Sequence, residues 1–221
     1  MPQRILIIAP HADDEVLGCG GTIARRTAHG DRVDVVVFAV GGIKHHHLDV
    51  QASLQQRIDE FQAASDVMGV TDRIVLFEGM DMRLDTLPHV ELVSKLDNLI
   101  ARGYDEVYFP YASFNHDHRE VFNASYSALR MNGSKKTPKL SVLYEYPLVS
   151  WNATEIRGGY MYVDVSEFIE TKIRALNAYK SQVRTFPHPC SPEAVRAFAA
   201  MRGVESGCTA AELFYLQRIV V

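Results

Sequence analysis

The sequence predicts an α/β fold: a Rossmann-like three-layer α/β/α domain with a mostly parallel sheet. In the first half of the 221-residue chain, short apolar runs rich in β-branched residues alternate with longer segments of helical periodicity. The first three helical segments are followed by Gly30, Gly69 and Gly103, each at a position where a left-handed residue commonly ends a helix. Strands and helices that alternate at this interval are typical of βαβ units, whose strands are parallel.

The predicted elements follow in chain order. In the first half, the predicted strands cover residues 5–9, 33–40, 73–77 and 106–109, and the predicted helices cover 16–29, 51–68, 88–102 and 118–132. In the second half, the predicted strands cover 140–146, 159–163 and 212–221. Ser166 is expected to cap a helix that reaches about Ser181, and Ser191 to cap another that begins with Pro192, because serine caps helices and proline suits their first turn. The sequence contains no repeat or linker, so residues 1–221 are expected to form a single domain.

The composition narrows the classes of partner. The chain is 47% hydrophobic and has a formal net charge of −4 without a basic tail, so neither nucleic acid nor an anionic membrane is expected to bind it. No apolar run approaches the roughly 20 residues that cross a bilayer, and the N-terminal apolar run is too short for a secretory signal. Cys19, Cys190 and Cys208 are too scattered for a disulfide framework or a zinc knuckle. A cytoplasmic location is therefore expected, and a homo-oligomer stays open.

One histidine and three acidic residues form a cluster after the first predicted strand. They are His11, Asp13, Asp14 and Glu15. Open α/β sheets bind ligands at the carboxyl ends of their strands, and an imidazole beside a carboxylate suits zinc, which would also let the neighbouring acids stay ionised. Acids at a helix N-terminus are equally favoured by the helix dipole alone. A dinucleotide-binding loop is disfavoured, because Ile23 stands where the third glycine should be.

A second cluster, His116, Asp117 and His118, follows the fourth predicted strand. In a sheet of order 3-2-1-4, strands 1 and 4 flank the point at which the strand order reverses, so both clusters would face one crevice. A catalytic zinc site needs three protein ligands, and one histidine of the second cluster is expected to supply the third. Asp117 is expected to orient an imidazole. On its own, such a motif is more often a solvated loop; opposite the first cluster it favours a metal site.

With these residues, the chain resembles the PIG-L/LmbE family of zinc-dependent de-N-acetylases. The family motif A/P-H-P-D-D-E is matched by PHADDE at residues 10–15, and H-x-D-H-R by NHDHR at 115–119. The likeness continues through QQRIDEFQAASDVMGV and RGVESGCTAAELF and covers essentially the whole chain. The resemblance implies that His11, Asp14 and His118 bind zinc and that Asp13 is the general base. It also implies hydrolysis of an N-acetyl group from an amino sugar, free or carried on a nucleotide, lipid or thiol conjugate, with release of acetate.

Two positions depart from the family pattern. Ala12 replaces the usual proline, which should loosen the loop without changing a ligand. Asn115 stands where many members have a histidine credited with general-acid or electrostatic help. Asparagine cannot carry a proton, but it can donate a hydrogen bond to the oxyanion while Asp13 acts as base and then as acid. His116 and His188 are the other candidates for the acid.

Several further residues have competing interpretations. Arg57 either contacts substrate or forms a simple i,i+3 ion pair with Glu60. His188, between two prolines, either marks a rigid turn or lines the pocket. Three aromatic residues belong either to the core or to a wall that stacks on a sugar, with the core favoured: Tyr144, Tyr146 and Trp151.

The sequence leaves alternatives open for the identity of the metal and for the reaction. Zn²⁺ is expected, but a His₂Asp ligand set also accepts Fe²⁺, Co²⁺ or Mn²⁺. The expected partner is a small N-acetylated sugar substrate. Cleavage of another small amide by the same site is an alternative, and Asn115 motivates a second one, a non-catalytic relative that binds metal or sugar.

Overall fold

The computed structural model describes residues 1–44, 51–131, 137–150 and 159–221. Its strands are β1 Arg4–His11, β2 Arg32–Val40, β3 Ile43–Lys44, β4 Gln51–Ala52, β5 Asp72–Glu78, β6 Glu106–Pro110, β7 Leu140–Tyr144, β8 Tyr160–Asp164 and β9 Ala211–Ile219. Its α-helices are α1 Asp14–Ala28, α2 Leu54–Met68, α3 His89–Ile100, α4 His116–Ala128, α5 Pro147–Ser150, α6 Ile169–Ala178 and α7 Pro192–Ser206. A 3₁₀ turn covers Leu84–Thr86.

Seven of these strands form one sheet in the order β5-β2-β1-β6-β7-β9-β8. The first five strands of that order are parallel, and β9 runs antiparallel to both β7 and β8. The predicted mostly parallel sheet and its 3-2-1-4 order are therefore confirmed. The order reverses at β1, so the carboxyl ends of β1 and β6 lie side by side.

Helices cover both faces of the sheet. Along β1, Ile5 and Ile7 pack into one core with α1, α2, α6 and α7, while Leu6 and Ile8 pack into the other with α3 and α4. All four side chains are buried. A strand that is apolar on both faces belongs inside a three-layer domain. Its packing on both sides holds β1 in place, and with it His11 at the carboxyl end of the strand.

Helix α1 is held against the sheet by close packing and by a buried ion pair. A Cβ on Gly18 would lie 2.2 Å from the ring of Tyr144, so this approach requires glycine. On the other side, Lys172 Nζ donates to the backbone oxygen of Leu17 at 2.9 Å and lies 2.6 Å from Glu212, which accepts the backbone N–H of Gly21. The glycine-rich stretch therefore serves helix packing, and it fixes the helix that begins at Asp14.

Several predicted helix boundaries differ from the structure, and a hydrogen bond accounts for three of the differences. Helix α2 begins at Leu54 rather than at residue 51, because Ser53 caps it by accepting the N–H of Gln56. Ser166 does not cap α6, because its hydroxyl donates to Asp164 at 2.6 Å and the helix begins at Ile169. Helix α4 begins two residues before the predicted start at 118, because Asn115 caps it. The predicted cap of α7 at Ser191 is confirmed.

No helix in the described ranges is both long and apolar enough to cross a bilayer.

Candidate active site

The two clusters come together at the reversal point of the sheet. His11 is the last residue of β1, and Asp14 is the first residue of α1. His118 lies in the first turn of α4, directly after β6 and its loop. The ring centroids of His11 and His118 are 5.4 Å apart. The structure therefore places both halves of the predicted site in one crevice.

His11, Asp14 and His118 form a compact set of potential metal ligands. All three are buried, and their donor atoms lie within 4.8 Å of one another. Asp14 Oδ2 is 3.5 Å from His11 Nδ1 and 3.3 Å from His118 Nε2. Tetrahedral zinc with bonds of about 2.0–2.1 Å separates neighbouring ligand atoms by about 3.3–3.4 Å. The residues therefore fit a tetrahedral divalent metal in both chemistry and spacing.

The ionised form of Asp14 and the charged form of His11 are both stabilised by their neighbours. Burial opposes ionisation of Asp14, but the neighbouring His118 and His11 hold the pKa of its carboxyl well below the usual range. Burial likewise opposes a charged His11, yet its hydrogen bonds to Asp117 and Asp14 raise the pKa of the imidazole well above its ordinary value. An ionised carboxylate is thus available as a ligand.

Asp117 orients His11 from behind. Its Oδ2 lies 2.9 Å from His11 Nε2, which leaves His11 Nδ1 facing Asp14. Asp117 is fully buried and accepts the backbone N–H groups of Met82 at 2.7 Å and Leu84 at 3.0 Å. These contacts hold the pKa of Asp117 below its usual value despite burial. A carboxylate behind a histidine in this way fixes the ring and its tautomer for metal binding.

Asp13 occupies a strained position at the entrance to α1. Its φ of 132° is rare for a residue other than glycine, and such strain persists only where surrounding contacts enforce it. Here the Asp13 N–H donates to Glu15 at 3.0 Å, and Tyr179 donates to the same buried glutamate. Burial and the neighbouring Asp14 carboxylate raise the pKa of Asp13 to about 8, although the charge of Arg57 opposes the shift. Asp13 lines the same cleft as the three potential ligands.

The cleft has a volume of about 420 Å³. Of the residues predicted from the sequence, six line it: His11, Asp13, Asp14, Arg57, Asn115 and His118. Other lining residues, for which the sequence predicts no role in the site, include Asp81, Met82, Gln182 and Cys190. Tyr146 also lines the cleft, Tyr144 lies in the core, and Trp151 falls outside the described residues.

Arg57 does not form the alternative ion pair with Glu60. Among the described residues, its buried Nε and Nη1 have no hydrogen-bond partner, and the side chain is only 1% exposed. Glu60 instead accepts both the backbone N–H and the hydroxyl of Ser181, at 2.9 and 2.6 Å. The two residues therefore have different roles. Arg57 lines the cleft, and Glu60 anchors the segment that brings Gln182 to it.

Asn115 and His116 contact a neighbouring loop, residues 79–83, through Met82. Asn115 Oδ1 accepts the N–H of Asp117 at 2.9 Å, and its Nδ2 lies 3.4 Å from Met82 Sδ. His116 Nε2 lies 3.1 Å from the backbone oxygen of Met82, which has a left-handed φ of 59°. Neither His116 nor the exposed His188 belongs to the described lining of the cleft. Neither of these two candidates for the acid therefore shares the described cleft lining with Asp13, and the identity of the acid stays a prediction.

Asp81 enters the site from this loop. Its Oδ1 lies 3.6 Å from His11 Nε2. The approach depends on Gly41, at the end of β2, where a Cβ would lie 2.6 Å from Asp81 Cβ. The sequence signal for this loop is that glycine, which by itself predicts a turn rather than a site.

Comparison with known proteins gives consistent results. Residues 6–129, more than half of the chain, match the sequence family described as PIG-L, GlcNAc-PI de-N-acetylase. A 1D-myo-inositol 2-acetamido-2-deoxy-alpha-D-glucopyranoside deacetylase from Actinosynnema mirum is 38% identical over 80 residues, which span 32% of this chain and 28% of that relative. Diacetylchitobiose deacetylase from Thermococcus kodakarensis is 23% identical over 199 residues, spanning 81% and 70% of the two chains. A conserved protein from Thermus thermophilus superimposes with a TM-score of 0.77 at 25% identity over 99% and 96% of the two chains.

Proposed function

The chain belongs to the PIG-L family, and we propose that it is a metal-dependent hydrolase that removes the N-acetyl group from an amino sugar or its conjugate. Water and the acetamide would give acetate and the free amine. The proposal is supported chiefly by the position of the Asp13 carboxyl, which shares one cleft with the buried donor set of His11, Asp14 and His118. Relatives named as deacetylases of acetamido sugars support the substrate class.

His11, Asp14 and His118 would hold the metal, for which we propose Zn²⁺. When bound there, the metal supplies Lewis acidity to the acetamide carbonyl and to the attacking water. Asp117 contributes by keeping the His11 ring in place through Nε2, and Tyr146 by donating to the second oxygen of Asp14. The ligand set is compatible with Fe²⁺, Co²⁺ and Mn²⁺ as well, so metal identity is part of the test.

Asp13 would act as general base and then as general acid. Its carboxylate removes a proton from the attacking water, and the same proton then passes to the departing amine nitrogen. This dual role is favoured because the other candidates for the acid, His116 and His188, are absent from the described cleft lining. Asn115 and His116, predicted to be catalytic, would serve instead to position Met82 and Asp81 beside the cleft.

Arg57 would bind an oxygen of the substrate. Its buried Nε and Nη1 have no hydrogen-bond partner among the described residues, and such burial is unfavourable. A sugar hydroxyl, a carboxylate or the acetamide oxygen would satisfy those groups on binding. The binding of substrate would thus offset part of the cost of burying them.

The test is acetate release from a panel of N-acetylated compounds. The zinc-loaded protein is incubated with N-acetylglucosamine, N,N′-diacetylchitobiose, an N-acetylglucosaminyl inositol and a small non-sugar amide, before and after chelation. We expect release from at least one sugar, its loss on chelation, its return with zinc, and its loss in Asp13→Asn. Release that survives both chelation and Asp13→Asn would contradict the mechanism, and release from the non-sugar amide alone would contradict the substrate class.

A further inference from the structure

Tyr146 lies at the back of the candidate metal site, between β7 and α5. It is buried, and its hydroxyl donates a hydrogen bond to Asp14 Oδ1. Its ring lies 6.3 Å from that of His118, so it packs against two of the three potential ligands. The contact joins residues that are 132 positions apart in the chain. A tyrosine in this place therefore contacts the ligand set directly.

We propose that Tyr146 is a positioning residue that limits Asp14 to metal binding through one oxygen, Oδ2. The inference rests on the metal site of the proposed function. Asp14 Oδ2 faces His11 Nδ1 and His118 Nε2 and also accepts the backbone N–H of His11 at 3.0 Å. Oδ1 accepts the hydrogen bond from Tyr146. The two oxygens of one carboxylate thus have separate partners.

The separation matters for what the site can do. A catalytic metal site keeps a position open for water or substrate in addition to its three protein ligands. If Oδ1 were free to rotate towards the metal, it could occupy that position. The bond from Tyr146 opposes such a rotation and also fixes the direction of Oδ2. Removal of the hydroxyl should therefore weaken metal binding and change the coordination number.

Tyr144 provides a matched control two residues away. It is equally buried, and its hydroxyl donates at 2.8 Å to the backbone oxygen of Ile8 rather than to a ligand. Tyr146→Phe and Tyr144→Phe each remove a single oxygen atom and a single buried hydrogen bond. A general loss of packing or stability should affect both variants, whereas an effect through Asp14 should appear only in Tyr146→Phe.

The experiment measures metal binding in the full-length chain. Metal-free wild type and both variants are first compared by circular dichroism and thermal unfolding. Zn²⁺ affinity is then measured by competition with a chromophoric chelator, and Co²⁺-loaded samples are compared by visible absorption. We expect Tyr146→Phe to bind zinc about 10–100-fold more weakly, as is typical when a group that supports a ligand is lost. Its Co²⁺ bands should weaken as the coordination number rises, whereas Tyr144→Phe should match wild type in both measurements.

Equal zinc affinities and identical Co²⁺ spectra for the two variants would overturn the inference. The coupling is checked in the Asp14→Asn background, where adding Tyr146→Phe should cause no further loss of affinity; an undiminished loss there would also count against it. If the wild-type protein binds one zinc ion but releases no acetate, the proposed function is overturned. The zinc affinities of the variants then still decide whether Tyr146 positions Asp14. A wild-type protein that takes up no metal would overturn both.

Discussion

His11 presents its two ring nitrogens to two different carboxylates: Nε2 lies 2.9 Å from Asp117 Oδ2, and Nδ1 lies 3.5 Å from Asp14 Oδ2. One side of the ring is thus anchored and the other faces the remaining potential ligands. The anchor itself is tied to the loop that carries Met82, whose N–H it accepts. The position of the ring is therefore set by contacts from both sides of the crevice.

Asp117→Asn should weaken metal binding about 10–100-fold, because the amide no longer offers a charged acceptor to His11 Nε2. The measurement is zinc affinity by chelator competition. Asp85→Asn is the control, since Asp85 is a nearby exposed acid that lies 3.9 Å from His116. Equal affinities for the two variants would show that the anchor of His11 is dispensable.

Arg57→Met should raise KM about 10–100-fold while kcat changes less, because the proposed role of the guanidinium is to bind substrate and not to transfer a proton. The metal-free variant should be no less stable than wild type, since a buried guanidinium with two nitrogens that lack a hydrogen-bond partner among the described residues is replaced by an apolar side chain of similar length. Steady-state kinetics and urea unfolding measure the two effects. A marked loss of stability with unchanged KM would assign Arg57 to the fold instead.

Glu60→Gln should loosen the segment that follows α6. The variant places an amide against the two donors of Ser181, which should lower the free energy of unfolding by about 1–3 kcal/mol. KM should rise as well, because Gln182 follows Ser181 and lines the cleft. Asp59→Asn changes an exposed acid on the same helix that pairs with Gln55, and it should leave both quantities unchanged. If both variants behave alike in urea unfolding and kinetics, Glu60 does not anchor the segment.

His188→Ala should leave kcat close to that of wild type, because the ring is exposed, accepts the N–H of Cys190 at 3.1 Å, and is itself not among the described residues that line the cleft. Asp13→Asn should abolish turnover under the same conditions. Acetate release by the two variants, compared at saturating substrate, measures the difference. A loss of about 100-fold or more in His188→Ala would identify it as the missing acid.

The sequence contains enough to predict that the two motifs meet, because each follows a strand that is recognisable from its apolar run. Parallel neighbours bring the ends of β1 and β6 together, and this places His11 near the second histidine cluster without any knowledge of side-chain contacts. The choice of His118 within that cluster rests on the family resemblance. What supports the ligands could not be predicted in the same way. Tyr146 reaches Asp14 across 132 residues, and Glu60 reaches Ser181 across 121. Neither pairing leaves a periodic or local signal in the chain.

The Met82 loop illustrates the same limit. Nothing near residues 79–83 resembles a motif, and in the structure Asp117, His116 and Asn115 hold this loop at the site. From the sequence, these three residues suggest catalysis, since they adjoin a ligand. Their contacts in the structure favour positioning for Asn115 and His116.

The most direct measurement for this account is anomalous diffraction from a crystal of the zinc-loaded protein, recorded on both sides of the zinc absorption edge. The account predicts one strong peak about 2.0–2.2 Å from each of His11 Nδ1, Asp14 Oδ2 and His118 Nε2. The side chains of His11, Asp81 and Asp117 form a competing group within the same crevice. A peak among those three, or a crystal soaked in zinc without a peak at either group, would contradict it.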